Sequence, residues 1–487
     1  MELTVLLFVP TAAAVIIAFL PQSQEQYAKW VALGGSLAAL ALSLVLFFDF
    51  DHSAEGFSYV VREEWVDLGS FNLQYALGVD GISLPLVVLT TFLTLASVLV
   101  SFSVTNRPRL YYALLMILST SVLGVFMSLD FMLFFLFWEL ELFPMYLLIS
   151  IWGSGRKEYS AIKFVLFTIA GSAFMLVGIL VLAFAEGTFD IEQLGQLQVS
   201  GTIIPLGWVF ILLFIGFAVK LPVVPVHTWL PDAHSDAPTA VSVMLAGVLL
   251  KMGGYGIIRM CVTILPEEAH DFGIWLAALG AISVLYGAFV TLRQTDVKRL
   301  IAYSSVSHMG IVLLGIGALT KTSIMGANYQ MLAHGVITGM MFVVVGLMYE
   351  RTHTREIVRL GGLARQMPLI ATGFVFAGFA SLGLPALGGF IAEITVFLGS
   401  FQKYEWAVLM AIFGVVLSAG YILWMLQRVV FGPAKHEWDH TGDQHYWWEH
   451  TVVVGMAALV LILGLYPALM MDVMGPAIDP IIGRLPA

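Results

Sequence analysis

Residues 212–233 read "LLFIGFAVKLPVVPVHTWLPDA". The stretch begins as a run suited to the hydrocarbon core of a bilayer, then places Lys220 in its middle and follows it with Pro222 and Pro225. A charge at the centre of a membrane helix costs about 2.5–3.5 kcal/mol on insertion scales. Each proline removes a backbone donor and clashes with the preceding turn. Such a segment is tolerable only where other protein groups or a wet cavity surround the broken backbone. The fold it demands is therefore a helical membrane bundle with a polar interior.

The rest of the chain agrees. Of 487 residues, 60% are hydrophobic and 11% charged, and the mean hydropathy is strongly positive. A soluble domain cannot hide that much apolar surface. The single cysteine, Cys261, excludes a disulfide within the chain and any all-cysteine metal or iron–sulfur site. No GxGxxG follows a strand and no GxxxxGK occurs, so neither dinucleotide nor ATP binding is indicated. No cofactor-binding or metal-ligating residues are assigned. A net charge of −10 is no nucleic-acid footprint.

Apolar runs of about 20 residues predict an all-α polytopic membrane protein of about fourteen spans: 3–20, 29–48, 83–104, 111–129, 131–150, 161–185, 205–229, 238–260, 274–292, 299–319, 325–349, 369–400, 405–430 and 451–472. The N-terminal run has Glu2 where a secretory signal would carry positive charge, so it is kept as the first span. Loop 49–82 alternates enough to predict a β-hairpin. Loops after odd-numbered spans carry fifteen Lys and Arg and the opposite loops five, the latter including Arg259. That bias places the odd loops in the cytoplasm and both termini outside. Of 22 Lys and Arg, only Lys220 and Lys251 are left within the membrane.

The twelfth span is too long for one straight helix, and Gly383, Pro385, Gly388 and Gly389 predict a break. Breaks in spans seven and twelve lie five spans apart, an odd interval. A five-helix unit, spans four to eight, repeated as nine to thirteen would therefore be inverted. The expected organisation is 1–110 (three spans and the outer loop), 111–260 and 261–431 (the two repeats), and 432–487 (a loop and the last span).

The buried ionisable groups form a short set. Glu139 and Glu141 lie in "FFLFWELELFPMYLL", His308 in "YSSVSHMG", His334 in "YQMLAHGVITG" and Glu393 in "GGFIAEITVF". Glu139 is expected to pair with Lys220. A lysine held by a carboxylate but pulled by desolvation can release its proton, which arginine cannot. Glu141 falls about 200° around a straight helix from Glu139 and is read as a structural or subunit-interface carboxylate. His227, Asp232 and His234, at the cytoplasmic end of span seven, are candidate proton-uptake groups or a polar interfacial cap. Buried pairs and lone histidines also serve as packing elements, and that reading stands beside the proton-transfer one.

"FWELELFPMYLLI", "FAVKLPVVPVHTWLPDAHSDAPTAVSVMLAGVLLKMGGYGIIR", "RLIAYSSVSHMG" and "SLGLPALGGFIAE" resemble the proton-translocating, antiporter-like membrane subunits of respiratory complex I (NADH:quinone oxidoreductase), within them the chain M (NuoM) family. The resemblance runs from "YALGVDGIS" to span fourteen. It implies proton transfer through Glu139, Lys220, Lys251, His308, His334 and Glu393. A glutamate at 393 and the short stretch after span fourteen fit chain M better than the longest sister, chain L. The implied setting is the bacterial inner membrane, beside sister chains L and N. NADH, FMN, iron–sulfur clusters and quinone would be held by partner subunits, with no redox chemistry in this chain. Rival expectations are a subunit of a multi-subunit sodium/proton antiporter, a membrane-bound hydrogenase relative, or a structural scaffold. Glu139→Gln or Lys220→Ala is predicted to leave the complex assembled while strongly impairing proton pumping and coupled quinone reduction. Normal pumping by an assembled variant would remove the transport reading of that pair, and failed assembly would favour the scaffold.

Overall fold

The computed structural model describes residues 1–53, 56–67, 72–435, 438, 442–443 and 446–486. Among them, fourteen helical spans follow the predicted order. Ten helical segments are long and apolar enough to cross a membrane by themselves. Spans one and three are shorter apolar helices, Glu2–Ala18 and Leu84–Val100. Spans seven and twelve are broken, into Leu206–Lys220 and Trp229–Asp236 and into Pro368–Ser381 and Gly388–Phe401. The seventh helix stops at Lys220, two residues before Pro222, so the backbone runs non-helically through both prolines before Trp229. The reading of 451–472 as one span needs correction. That span is Trp447–Leu465, and a separate helix, Ala468–Gly483, starts after Pro467 and packs on span eleven.

The predicted hairpin is present as antiparallel β1 (Ser58–Asp67) and β2 (Asn72–Val79), pairing Arg62 with Ala76 and Glu64 with Gln74. Its end feeds Asp80, which accepts from the amides of Ile82 and Ser83 at 3.1 and 3.0 Å to shape the start of span three.

A repeated joint marks the two halves. Span five begins after Asp130, whose carboxylate caps the amides of Met132 and Leu133. There Phe131 N donates to Phe189 O at 2.9 Å and Ile191 N to Leu129 O at 2.8 Å. Span ten begins after Asp296, which caps the amide of Arg299. There Val297 N donates to Arg355 O at 3.0 Å and Ile357 N to Thr295 O at 2.9 Å. The start of one span is thus stitched to the segment following the next, and the stitch recurs five spans later. An odd interval puts the two stitches at opposite ends of the bundle. This local hydrogen-bonding signature belongs to two inverted five-helix repeats, each containing one broken helix.

Span eight, residues 239–262, is wholly buried and contains two π-helical stretches, Leu245–Leu249 and Ile257–Val262. Lys251 lies between them. Its glycines permit close contact: a Cβ on Gly253 would stand 2.6 Å from both Leu221 N and Phe217 O. The span therefore packs directly on the backbone at the break after Lys220.

Two cations assigned to loops from sequence are buried. Arg259 lies inside span eight, 5% exposed, and donates to Asp80 at 2.5 Å. Lys298, at the start of span ten, is 4% exposed and donates to Ala237 O at 2.7 Å. Both sit close enough to a helix end to meet a partner there, which a hydropathy count does not register. Because Asp80 joins the hairpin, span three and span eight, Arg259→Met should destabilise the fold by about 3–5 kcal/mol, the usual cost of stranding one buried charge. Asp80→Asn added to it should recover most of that loss. Thermal unfolding midpoints of the two variants check this, and equal midpoints would contradict it.

Candidate functional site

The buried ionisable groups lie on the broken helices and on the spans packed against them. Lys220, the last residue of its helix, is 1% exposed. Its ammonium donates to Glu141 Oε1, and its Nζ lies 5.1 Å from the centre of the Trp138 ring and 5.4 Å from that of Phe164. The direct contact is with Glu141, while the expected partner Glu139 acts on Lys220 electrostatically without a hydrogen bond. Span five is interrupted at this residue, between Phe131–Leu140 and Leu142–Trp152, because Pro144 cannot donate to the carbonyl of Leu140. Its buried stripe runs Phe134, Trp138, Glu141, Met145 and Leu148. Glu139 lies on the flank beside exposed Leu136, Leu140 and Phe143, half-buried, with Oε1 shielded and unpaired. Both stripes are apolar, so the sequence holds no signal for which one faces inward.

Lys251 is fully buried. It donates to Ala246 O, a carbonyl in the first π-helical stretch five residues earlier. A π turn leaves such a carbonyl free of the usual i+4 amide, a local widening that recurs at functional sites. Lys251 Nζ also lies 2.8 Å from His334 Nδ1. The His334 ring is 5.5 Å from the His308 ring, centre to centre. His308 Nδ1 in turn approaches Glu393 Oε1 at 3.4 Å without hydrogen-bond alignment, and its Nε2 lies 3.3 Å from Ser381 Oγ. Lys251, His334, His308 and Glu393 therefore form one contiguous line from span eight through eleven and ten to twelve.

The second helix break positions the far end of this line. Gly383, in the break that contains Pro385, has φ +76°, and a Cβ there would stand 2.8 Å from Glu393 Oε2. Only glycine supplies both that conformation and that clearance. A cavity of about 10 Å³ lies among His308, Gln330, His334, Thr338, Ser381 and Glu393, close to the space one water occupies. Gln330 Oε1, His334 Nε2 and His308 Nδ1 are buried polar atoms without hydrogen-bond partners here. Gln330 was missed in the sequence. Its position four residues before His334 on a helix, and hence on the same face, was the available signal.

The candidate uptake groups are also placed. Asp232 bridges Lys163 at 2.6 Å and Arg299 at 3.1 Å. His227 packs edge-on to Tyr286 and Tyr303. His234 is fully buried and stacks on Phe342 at 4.6 Å. Among the described residues His234 has no hydrogen-bond partner, and the polar neighbour of His227 is the backbone of Pro225. Lys220 and Lys251 share no side-chain partner: Lys220 reaches Glu141, and Lys251 reaches His334.

Comparison with known proteins places this geometry. Residues 128–418 match the NADH:quinone oxidoreductase/Mrp antiporter transmembrane family. The chain is 42% identical to NADH-quinone oxidoreductase subunit M of Rhodobacter capsulatus, over 98% of this chain and 95% of that one. It is also 42% identical to an NAD(P)H-quinone oxidoreductase chain 4 of Synechococcus sp. (strain JA-3-3Ab), over 96% and 90%. Among solved structures, a chain of respiratory complex I from Thermus thermophilus superposes with a TM-score of 0.89 at 27% identity, covering 99% of this chain and 100% of that one. A chain of the Mrp complex from Dietzia sp. DQ12-45-1b superposes with a TM-score of 0.86 at 19% identity, over 99% and 97%, a likeness of fold alone. The match spans both broken helices and the whole buried axis, and the chain belongs to the NADH:quinone oxidoreductase/Mrp antiporter membrane-subunit family.

Proposed function

We propose that this chain moves protons along its buried axis as a subunit of the membrane arm of respiratory complex I, coupled to NADH:quinone electron transfer in other subunits. The observation that carries this reading is the unbroken contact series Lys251–His334–His308–Glu393, each member buried and able to bind and release a proton. Lys220 supplies the preceding carrier, held at the mouth of the first helix break, and Glu139 a carboxylate on the lateral flank. The antiporter reading shares the fold, but among solved structures identity is 27% to the complex I chain against 19% to the Mrp chain, and the curated subunit M relative is 42% identical. A purely structural scaffold fits less well, because two lysines, two histidines and two glutamates lie buried on the broken helices and the spans packed on them.

Asp232, bridged by Lys163 and Arg299, and the two histidines His227 and His234 are proposed as the uptake side. They fall at the end of the bundle richer in Lys and Arg, which the positive-inside bias makes the cytoplasm of a bacterial inner membrane, with both termini on the periplasmic side. NADH, FMN, iron–sulfur clusters and quinone are assigned to partner subunits. The neighbours in the arm are proposed to be the sister chains L and N.

Proton carriers act through bond-making groups, and losing one typically costs about 10²–10⁴ in rate. Lys251→Met and Glu393→Gln should each lower the rate of NADH-driven proton translocation by at least about tenfold in vesicles bearing the intact complex, with quinone reduction falling alongside. Native gels should show the same amount of assembled complex. A wild-type rate of proton translocation in either assembled variant would contradict the proposed route.

A further inference from the structure

We propose that Glu141 is itself a proton carrier and forms, with Lys220 and Glu139, a site of two carboxylates and one lysine. This inference rests on the proton-translocation reading above. Glu141 is fully buried and is the carboxylate in contact with Lys220.

The structure provides its own comparison for what a fixed buried ion pair looks like. In the Asp80–Arg259 pair both carboxylate oxygens are used: Oδ2 by the guanidinium and Oδ1 by two backbone amides. Its cation is an arginine, which keeps its charge under all conditions. The Glu141–Lys220 pair differs on each point. Glu141 Oε2 is buried without a hydrogen-bond partner, and the neighbours of the ammonium are two aromatic rings and one carboxylate oxygen. Its cation is a lysine, which can lose its proton when desolvated. An under-braced carboxylate in an apolar pocket has little to hold it ionised once the opposing charge leaves. The pair is thus built to change protonation state, and Asp80–Arg259 to keep it.

The step balances within the pair. The Lys220 Nζ–H bond breaks as a Glu141 Oε1–H bond forms, turning ammonium and carboxylate into amine and carboxylic acid, both neutral. The freed lone pair on Nζ then accepts the next proton. Glu139 sets the count. With all three groups ionised the site would carry a net charge of −1 inside an apolar bundle, whereas one added proton makes it neutral. Glu139 lies close enough to act electrostatically on Lys220, so both carboxylates address the same ammonium. Glu141 faces the bundle interior and Glu139 the lateral surface, so the two carboxylates give that proton an inner and an outer seat.

The test uses the whole complex in sealed membrane vesicles, with Glu141→Gln, Glu141→Asp and Lys220→Ala compared with wild type. Three quantities are read: assembled complex on native gels, the rate of NADH-driven proton translocation across a range of pH, and infrared difference bands of protonated carboxyl groups on NADH addition. Glu141→Gln should assemble, lose translocation about tenfold or more, and lack one carboxyl band. Glu141→Asp should keep part of the activity with a displaced pH profile and a shifted band. Wild-type translocation and an unchanged infrared spectrum in Glu141→Gln, with Lys220→Ala impaired, would overturn the role of Glu141 alone. Normal translocation in Lys220→Ala would instead overturn the proton-transport reading of the site. Should Glu141→Gln fail to assemble, Glu141→Asp decides: an unshifted pH profile and band would overturn the proposal.

Discussion

A lysine ammonium inside an apolar bundle is stable only where protein groups replace the water it has lost, and the architecture around Lys220 follows from that demand. The helix ends at the lysine because two prolines follow it. The opened backbone packs against Gly253, where a side chain would collide with it. A carboxylate from span five and two aromatic rings close the remaining sides. The second break repeats the device with the sign of charge reversed. Gly383 lets the backbone pass close to Glu393, and that carboxylate ends the line that begins at Lys251. Two inverted units, stitched by the same local hydrogen bonds around Asp130 and Asp296, thus deliver one basic and one acidic broken helix to a common axis.

The axis is contiguous over one part and divided over another. From Lys251 to Glu393 each group touches the next, with a cavity of water size beside the two histidines. Lys220 contacts Glu141 and Lys251 contacts His334, and among the described residues no side chain hydrogen-bonds to both. No direct hydrogen bond among the described residues joins the Glu141 side to the Lys251 side. A pump requires such a division, since a permanently connected wire would let protons flow back down their gradient. The Trp138 and Phe164 rings pack beside the Lys220 ammonium.

Much of this was legible in the sequence because membrane solvation leaves strong marks. Spans, broken helices and the buried lysines follow from hydropathy, proline placement and a count of charges. What was not legible was orientation around a helix axis. Glu139 and Glu141 each lie on a stripe of apolar residues, and in lipid an outward stripe is as apolar as an inward one, so nothing in "FWELELF" marks which carboxylate meets Lys220. The interruption that Pro144 imposes three residues after Glu141 adds to that ambiguity. Arg259 and Lys298 were placed in loops for a related reason. Hydropathy counts reward apolar runs, and neither shows a buried partner such as Asp80, which is distant in sequence. The helix after Pro467 was absorbed into the last span because both segments are apolar.

The division between Lys220 and Lys251 is the point on which the mechanism turns, and one measurement addresses it directly. A structure of the assembled complex at a resolution that shows ordered water would trace the space from Glu141 to Glu393. Waters hydrogen-bonded to Lys251, His334, His308 and Glu393 are expected, together with a second set at Lys220 that joins the first in at least one state of the turnover cycle. A space between the two lysines that stays dry and filled by apolar side chains in every state would contradict proton passage along this axis.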